Sequence, residues 1–136
     1  MICRRRTHYI IVTPRILRSM HKFICQQGDI FLVNFGDISV GHEIQRLRPA
    51  IVVQSDEQLQ KSNLVTIIPL SSKIQDKMTD EIIVKSDSGN LLRVDSVIKV
   101  FDIITRDPER FLHKIGEVDA ETMQKVKEYL KKHFGI

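Results

Sequence analysis

At 136 residues the chain has the length of one domain, and its 42% apolar and 28% charged residues argue against long disorder, fibrous repeats and membrane insertion. The formal charge is +4, but Arg4, Arg5, Arg6, Arg15 and Arg18 stand in residues 1–19 without an acid. Residues 20–136 are close to neutral, so a cationic groove in the folded part must come from local arrangement.

Residues 1–19 read as a disordered or non-native basic leader ahead of a single domain over 20–136, with Met20 as a possible natural start. The patch Tyr9 to Val12 is interrupted by Pro14, Arg15 and Arg18, and no small-residue cleavage site follows, which argues against a signal peptide. Two cysteines, Cys3 and Cys25, are too few for a disulfide framework and fit a reducing cytoplasm.

Asp29 to Phe35 is apolar on both alternating faces, as in a strand buried inside a small barrel, with Gln27-Gly28-Asp29 as its entry turn. Residues 36–48 have no usable period and read as a long loop, a type of segment that tends to be functional. Pro49 opens a strand over Ala50 to Gln54, Asp56 to Lys61 is a helical or irregular connection, and Leu64 to Leu70 is the next strand. Glu81 to Lys85 and the long run Leu91 to Thr105 are further strand candidates, divided by the turn residues Ser86 to Asn90.

Asp107-Pro108 marks the start of one short helix. Asp119 then caps an amphipathic helix whose Met123, Val126, Leu130 and Phe134 face the core, with Lys131 and Lys132 in its last turn and Gly135 as its stop. Five or six short strands and a terminal helix, without βαβ alternation, predict a small barrel or rolled sheet in a mainly β (α+β) domain.

No glycine-rich phosphate loop, zinc-spaced cysteine pair, His-Glu-x-x-His helix or nucleophile elbow occurs. His8, His21, His113 and His133 read as surface histidines. Three groups remain. Gly41-His42-Glu43 followed by Arg48-Pro49 sets an imidazole, a carboxylate and a guanidinium in one segment that can bind and polarise a phosphate. Ser71-Ser72-Lys73 supplies hydroxyls and a cation where the chain leaves a strand, a position where hydroxyls commonly cap turns. Arg93-Val94-Asp95, read as strand, puts both charges on one face, to line a groove, form an ion pair, or both.

In order, Gly28-Asp29-Ile30-Phe31, Gly41-His42-Glu43, Arg48-Pro49-Ala50-Ile51-Val52-Val53, Ile68-Pro69-Leu70-Ser71-Ser72 and Leu92-Arg93-Val94-Asp95-Ser96-Val97 resemble the successive motifs of the MazF, PemK or Kid toxin family. The resemblance spans roughly residues 25–134. It implies an SH3-like β-barrel that forms a homodimer and cuts single-stranded RNA or mRNA at specific sequences without a metal or other cofactor, neutralised by a cognate antitoxin in the cytoplasm. It further implies that Arg48 and Ser71 act at the scissile phosphate, with His42, Arg93 and Asp95 contributing as in the Kid branch. The chain departs from the family at Ser71, where Thr is usual, and at Ile44 to Arg46, where a Gln- and Gly-rich turn is common.

Such a reaction uses the substrate 2′-hydroxyl as nucleophile. Asp95, held by Arg93, is the candidate base, and His42 is the alternative for either proton transfer. Arg48 suits an electrostatic clamp and Ser71 a neutral hydrogen bond. Glu43 would orient His42 or Arg48, while Arg46, Ser72, Lys73 and Lys77 are candidate RNA contacts. A rival from another class is the gyrase-poisoning CcdB family, which ends in Trp-Gly-Ile where this chain ends Phe134-Gly135-Ile136; the chain contains no Trp. A catalytically inactive RNA-binding relative is the third reading.

Overall fold

The computed structural model describes residues 23–36 and 46–136. The expectations for the leader, Cys3, His42, Glu43 and the antecedent Gly41 lie outside the described residues.

Seven strands form one antiparallel sheet: β1 (Asp29–Asn34), β2 (Leu47–Val52), β3 (Val65–Ser71), β4 (Ile82–Val84), β5 (Ser96–Ile98), β6 (Ile104–Arg106) and β7 (Phe111–Glu117). Helix α1 (Asp56–Lys61) joins β2 to β3, and α2 (Ala120–Phe134) closes the chain. The strand order is β4-β5-β3-β2-β1-β7, and β6 pairs with the first half of β3 while β5 pairs with its end. β4 and β7 do not pair with each other among the described residues, so the expected barrel is an open, mainly antiparallel sheet with a C-terminal helix.

The double-sided apolar pattern of the first strand has its cause in two cores. Phe31, Val33 and Phe35 join Ala50, Val52, Val65, Ile67 and Phe111 on one face, together with Cys25 and with Leu59 of α1. Ile30 joins Ile51, Ile68, Leu70 and Ile98 on the other, under Met123 and Val126 of α2. Side chains alternate across a strand, so a central strand covered on both faces must be apolar at successive positions. Each such side chain contributes about 1.5–3 kcal/mol by leaving water. Phe23, Phe31 and Phe111 meet as a triangle with ring centroids 4.9–5.5 Å apart, which ties β7 to β1.

Both helix termini of α2 follow their sequence signals. The Asp119 carboxylate accepts the Thr122 N–H at 2.7 Å, and Gly135 takes the left-handed conformation, φ 70°, that lets the last carbonyls be capped. Met123 and Val126 are buried and Leu130 is partly buried. Phe134 differs from expectation: it is 59% exposed and meets His133 edge-on instead of entering the core.

Three other expectations are corrected. The ladder begins at Leu47, so Arg48 belongs to β2 and not to the preceding loop. Leu91 to Thr105 is not one strand: Leu91 turns left-handed at φ 52°, 91–95 is irregular, and β5 and β6 are separated by a 3-10 turn over Val100–Asp102. The Lys99 N–H still reaches the Pro69 carbonyl at 3.0 Å, after which the chain swings from the end of β3 to its beginning. Finally, the helix expected after Asp107 is a single 3-10 turn, Pro108–Arg110, capped by Asp107 and followed directly by β7.

Candidate active site

Arg48 stands on β2 opposite Val33 of β1, where the β1–β2 pairing is nearing its end. The β2–β3 register pairs Ala50 with Pro69, and carried two residues further it sets Arg48 opposite Ser71 on the same face. Arg48 is half-buried, and its Nε is buried with no hydrogen-bond partner among the described residues. A guanidinium donor in that state is costly unless something else satisfies it, and an anionic oxygen would do so.

Ser71 sits at the end of β3, where its Oγ accepts the Lys73 N–H at 3.2 Å. The hydroxyl therefore caps the turn leaving the strand while keeping its own proton to donate. Lys73 is exposed, and Lys77 Nζ donates to the Met78 and Thr79 carbonyls at 3.1 and 3.2 Å, holding its own loop.

A buried charged group lies beyond Arg48. Glu81 Oε1 accepts from Lys99 Nζ at 3.0 Å and from the Met78 N–H at 2.9 Å, with no exposure of the Glu81 side chain. Asp102 follows Lys99, and burial raises its pKa above the ordinary carboxylate value; the Lys99 cation opposes this, Glu81 reinforces it, and Arg48 opposes it again. Arg48 thus lies within electrostatic reach of an acid.

Arg93 and Asp95 form no ion pair with each other among the described residues. Arg93 is exposed and Asp95 half-buried on the irregular segment, so the one-face argument drawn from strand alternation does not apply. Asp95 Oδ1 accepts the Ser86 N–H at 2.8 Å, which staples the two sides of the 86–95 turn. Within that turn the buried Asn90 accepts from the Asp87 and Leu92 N–H groups and donates to the Lys85 carbonyl.

This turn, the β1–β2 end and β7 enclose a cleft of about 780 Å³. Arg46, Arg48, Ser72 and Arg93 line it; Ser71, Lys73, Lys77 and Asp95 do not. Arg46 closes the base of the β1–β2 loop, where its carbonyl accepts the Phe35 N–H at 2.9 Å, and it holds the left-handed φ of 68° that is unusual for a side chain this large. His113 and Lys114 of β7 add two basic groups to the rim that the sequence did not single out. Lys114 Nζ meets the buried Asp29 carboxylate at 3.2 Å and Glu117 at 3.6 Å. Desolvation opposes its charge, but the hydrogen bond and charge of Asp29, with Glu117, outweigh it and raise the Lys114 pKa. Among the described residues, no three His, Cys, Asp or Glu side chains are grouped so as to hold a metal ion.

A family model for the PemK-like, MazF-like toxin of type II toxin–antitoxin systems matches residues 26–134. The chain belongs to this family. Endoribonuclease EndoA of Bacillus subtilis is 30% identical over 109 residues, covering 79% of this chain and 92% of that protein. Among solved structures, MazF from Deinococcus radiodurans superposes with a TM-score of 0.71 at 21% identity, covering 85% of this chain and all of that one. An endoribonuclease from a mycobacterial species, solved in complex with its cognate antitoxin, gives 0.64 at 16% identity, covering 82% and 94%. At these identities the two structures establish the PemK/MazF fold, and the described parts of the five sequence blocks fall within the matched region. Of the PemK/MazF site residues expected from those blocks, Arg48 and Arg93 are among the residues lining the cleft, the continued β2–β3 register sets Ser71 opposite Arg48, and Asp95 is not among the lining residues.

Proposed function

We propose that this toxin is a sequence-specific, metal-independent endoribonuclease that cuts single-stranded RNA and mRNA in the cytoplasm, acts as a homodimer and is held inactive by a cognate antitoxin. Family membership and the endoribonuclease relatives support the activity class, and the antitoxin complex of the mycobacterial relative supports the mode of control. No described helix is long and apolar enough to cross a membrane.

The observation that carries the catalytic reading is the buried, unpartnered Nε of Arg48, on the sheet face that the strand register also gives to Ser71. In the proposed reaction the substrate 2′-oxygen attacks phosphorus as its proton leaves, and the bond to the 5′-oxygen breaks as that oxygen is protonated. The products are a 2′,3′-cyclic phosphate and a 5′-hydroxyl. Arg48 stabilises the charge developing on the nonbridging oxygens, which a planar cation with fixed donors does better than a flexible ammonium. Ser71 donates its free hydroxyl proton to the same phosphate. Asp95 and His42 are the candidates for the two proton transfers, and Arg93 holds the neighbouring phosphate. Glu43, Arg46, Ser72, Lys73 and Lys77 serve the RNA strand.

Single-stranded RNA incubated with the purified protein in excess chelator, with both new ends mapped, tests this reading. Cleavage yielding cyclic phosphate and 5′-hydroxyl ends is expected. Cleavage only on addition of magnesium, or poisoning of DNA gyrase without any RNA cut, would overturn it.

A further inference from the structure

The sheet face that holds Arg48 carries charge beyond its apolar core. Cross-strand partners share a face, and three registers extend this one over four strands. Ala50 of β2 pairs with Pro69 of β3. Just past the Leu70–Ile98 pair, the Lys99 N–H reaches the Pro69 carbonyl at 3.0 Å. The β4–β5 register, carried one residue past Ile82–Ile98, sets Glu81 opposite Lys99. Arg48 and Ser71 form the neighbouring row of the same face, two residues along β2 and β3.

On this face Lys99 and Glu81 neutralise each other at 3.0 Å. Arg48 and Asp102 are both half-buried, and among the described residues neither stands in an ion pair. Asp102 is brought next to Lys99 by a 3-10 turn in which its N–H donates to the Lys99 carbonyl at 2.9 Å. The charges acting on its carboxylate are those of Lys99, Glu81 and Arg48, so it looks onto the same cluster. A half-buried cation with no compensating charge is costly, yet a carboxylate in contact with it would occupy donors that a phosphate needs. A carboxylate held beyond contact distance meets both demands, because its field acts on the guanidinium while the buried Nε keeps its proton unshared.

We propose that Asp102 is a positioning residue for Arg48: its carboxylate, anchored beside the Lys99–Glu81 pair, orients the Arg48 guanidinium so that its donors stay open to the scissile phosphate. The phosphate in this inference rests on the endoribonuclease reading, whereas the coupling of the two side chains can be tested without RNA. Asp102 acts through Arg48 and touches no substrate.

The test uses the full chain as wild type, Asp102→Asn, Asp102→Glu, Arg48→Lys and the double variant of Arg48→Lys with Asp102→Asn, with thermal melts alongside. Single-turnover cleavage of single-stranded RNA is followed over a range of protein concentrations. Asp102→Asn should lower the maximal rate on the order of tenfold, the scale of coupling within one charge network. RNA should bind no more weakly, because a negative charge has left the neighbourhood of the phosphate. Asp102→Glu, which retains the charge, should recover most of the rate. In the Arg48→Lys background Asp102→Asn should have almost no effect, since the fork it orients is gone. Equal losses in both backgrounds would make Asp102 a structural residue and overturn the proposal. The second readout is the Arg48 Nε–H signal in a proton–nitrogen NMR spectrum of the RNA-free protein, assigned by its absence in Arg48→Lys. In Asp102→Asn it should shift and exchange faster with solvent. An unmoved signal overturns the positioning whatever the cleavage result. A wild type that cuts no RNA, with the signal still moved by Asp102→Asn, removes the endoribonuclease reading and leaves the positioning of Arg48 in place.

Discussion

The backbone carbonyl of Asn90 lies against the Cα of Gly116 so closely that a side-chain Cβ there would overlap it. Gly116 is buried in β7, and the Glu117 N–H reaches the Gly89 carbonyl at 3.3 Å, so the 86–90 turn is seated on the strand by backbone alone. Asn90 in turn organises the chain that presents Arg93 to the cleft. Gly116→Ala should destabilise the protein by about 1–3 kcal/mol or more, the usual result of overfilling a packed site with no flexible neighbour to yield. It should also lower RNA cleavage at temperatures where the protein stays folded, because the Arg93 segment is displaced. Urea unfolding and single-turnover assays on the same preparation would check both; wild-type stability in the variant would contradict the contact.

Arg48→Lys tests the centre of the proposed chemistry. Lysine retains the charge but loses the buried Nε and the fork, so the single-turnover rate should drop on the order of a hundredfold or more while antitoxin binding and the melting temperature change little. Ser71→Ala should cost less, since a neutral donor to phosphate is weaker than a charged one. Part of its effect will appear in stability, because the Oγ that accepts the Lys73 N–H is lost. Full activity in Arg48→Lys would remove Arg48 from the site.

Elements with a strong local cause were legible in the sequence. Asp29 to Asn34 carries its double-sided burial in its own residues, and α2 has its cap, stripe and stop within one stretch. β7 was not legible, because Leu112, His113 and Lys114 are all exposed and, among the described residues, the strand pairs with β1 alone. Neither a period nor a continuous apolar run survives in such a strand. The break at Leu91 to Asp95 was hidden for the opposite reason: its residues favour strand, but Asn90 and Asp95 bond the turn into another path. Consequently the site types were readable as motifs, whereas the membership of His113 and Lys114 depended on a pairing between distant segments. A strand-pairing signal between 30–33 and 111–116 would have found them.

Asp95 carries two candidate roles that one substitution can separate. As a turn staple it needs only an acceptor for the Ser86 N–H, which Asn supplies through its carbonyl oxygen. As a general base it needs the carboxylate itself, which Asn lacks. Asp95→Asn should therefore melt close to wild type yet lose cleavage on the order of a hundredfold, in line with typical general-base contributions. An Asp95→Asn variant as active as wild type would assign the carboxylate to the turn and leave proton abstraction to His42.

Lys114 offers a test through pH. Its ammonium is held by the buried Asp29 carboxylate, and its pKa in the folded protein is raised above the unfolded value of 10.5. The folded state consequently binds this proton more tightly, so the stabilisation is fully present below the unfolded pKa and is lost as pH rises through the folded one. Lys114→Met should be less stable than wild type near neutral pH, since Asp29 then keeps the Gln26 N–H at 2.8 Å but loses its cation. The two stability curves should converge on the alkaline side as the wild-type ammonium deprotonates. The Lys114 side chain is 48% exposed, so added salt should narrow the gap as well. Urea titrations from neutral pH to about pH 12, the range bracketing lysine ionisation, provide the measurement. A gap that remains constant across the alkaline range would show that Lys114 stabilises β7 through its aliphatic stem and not through the charge pair.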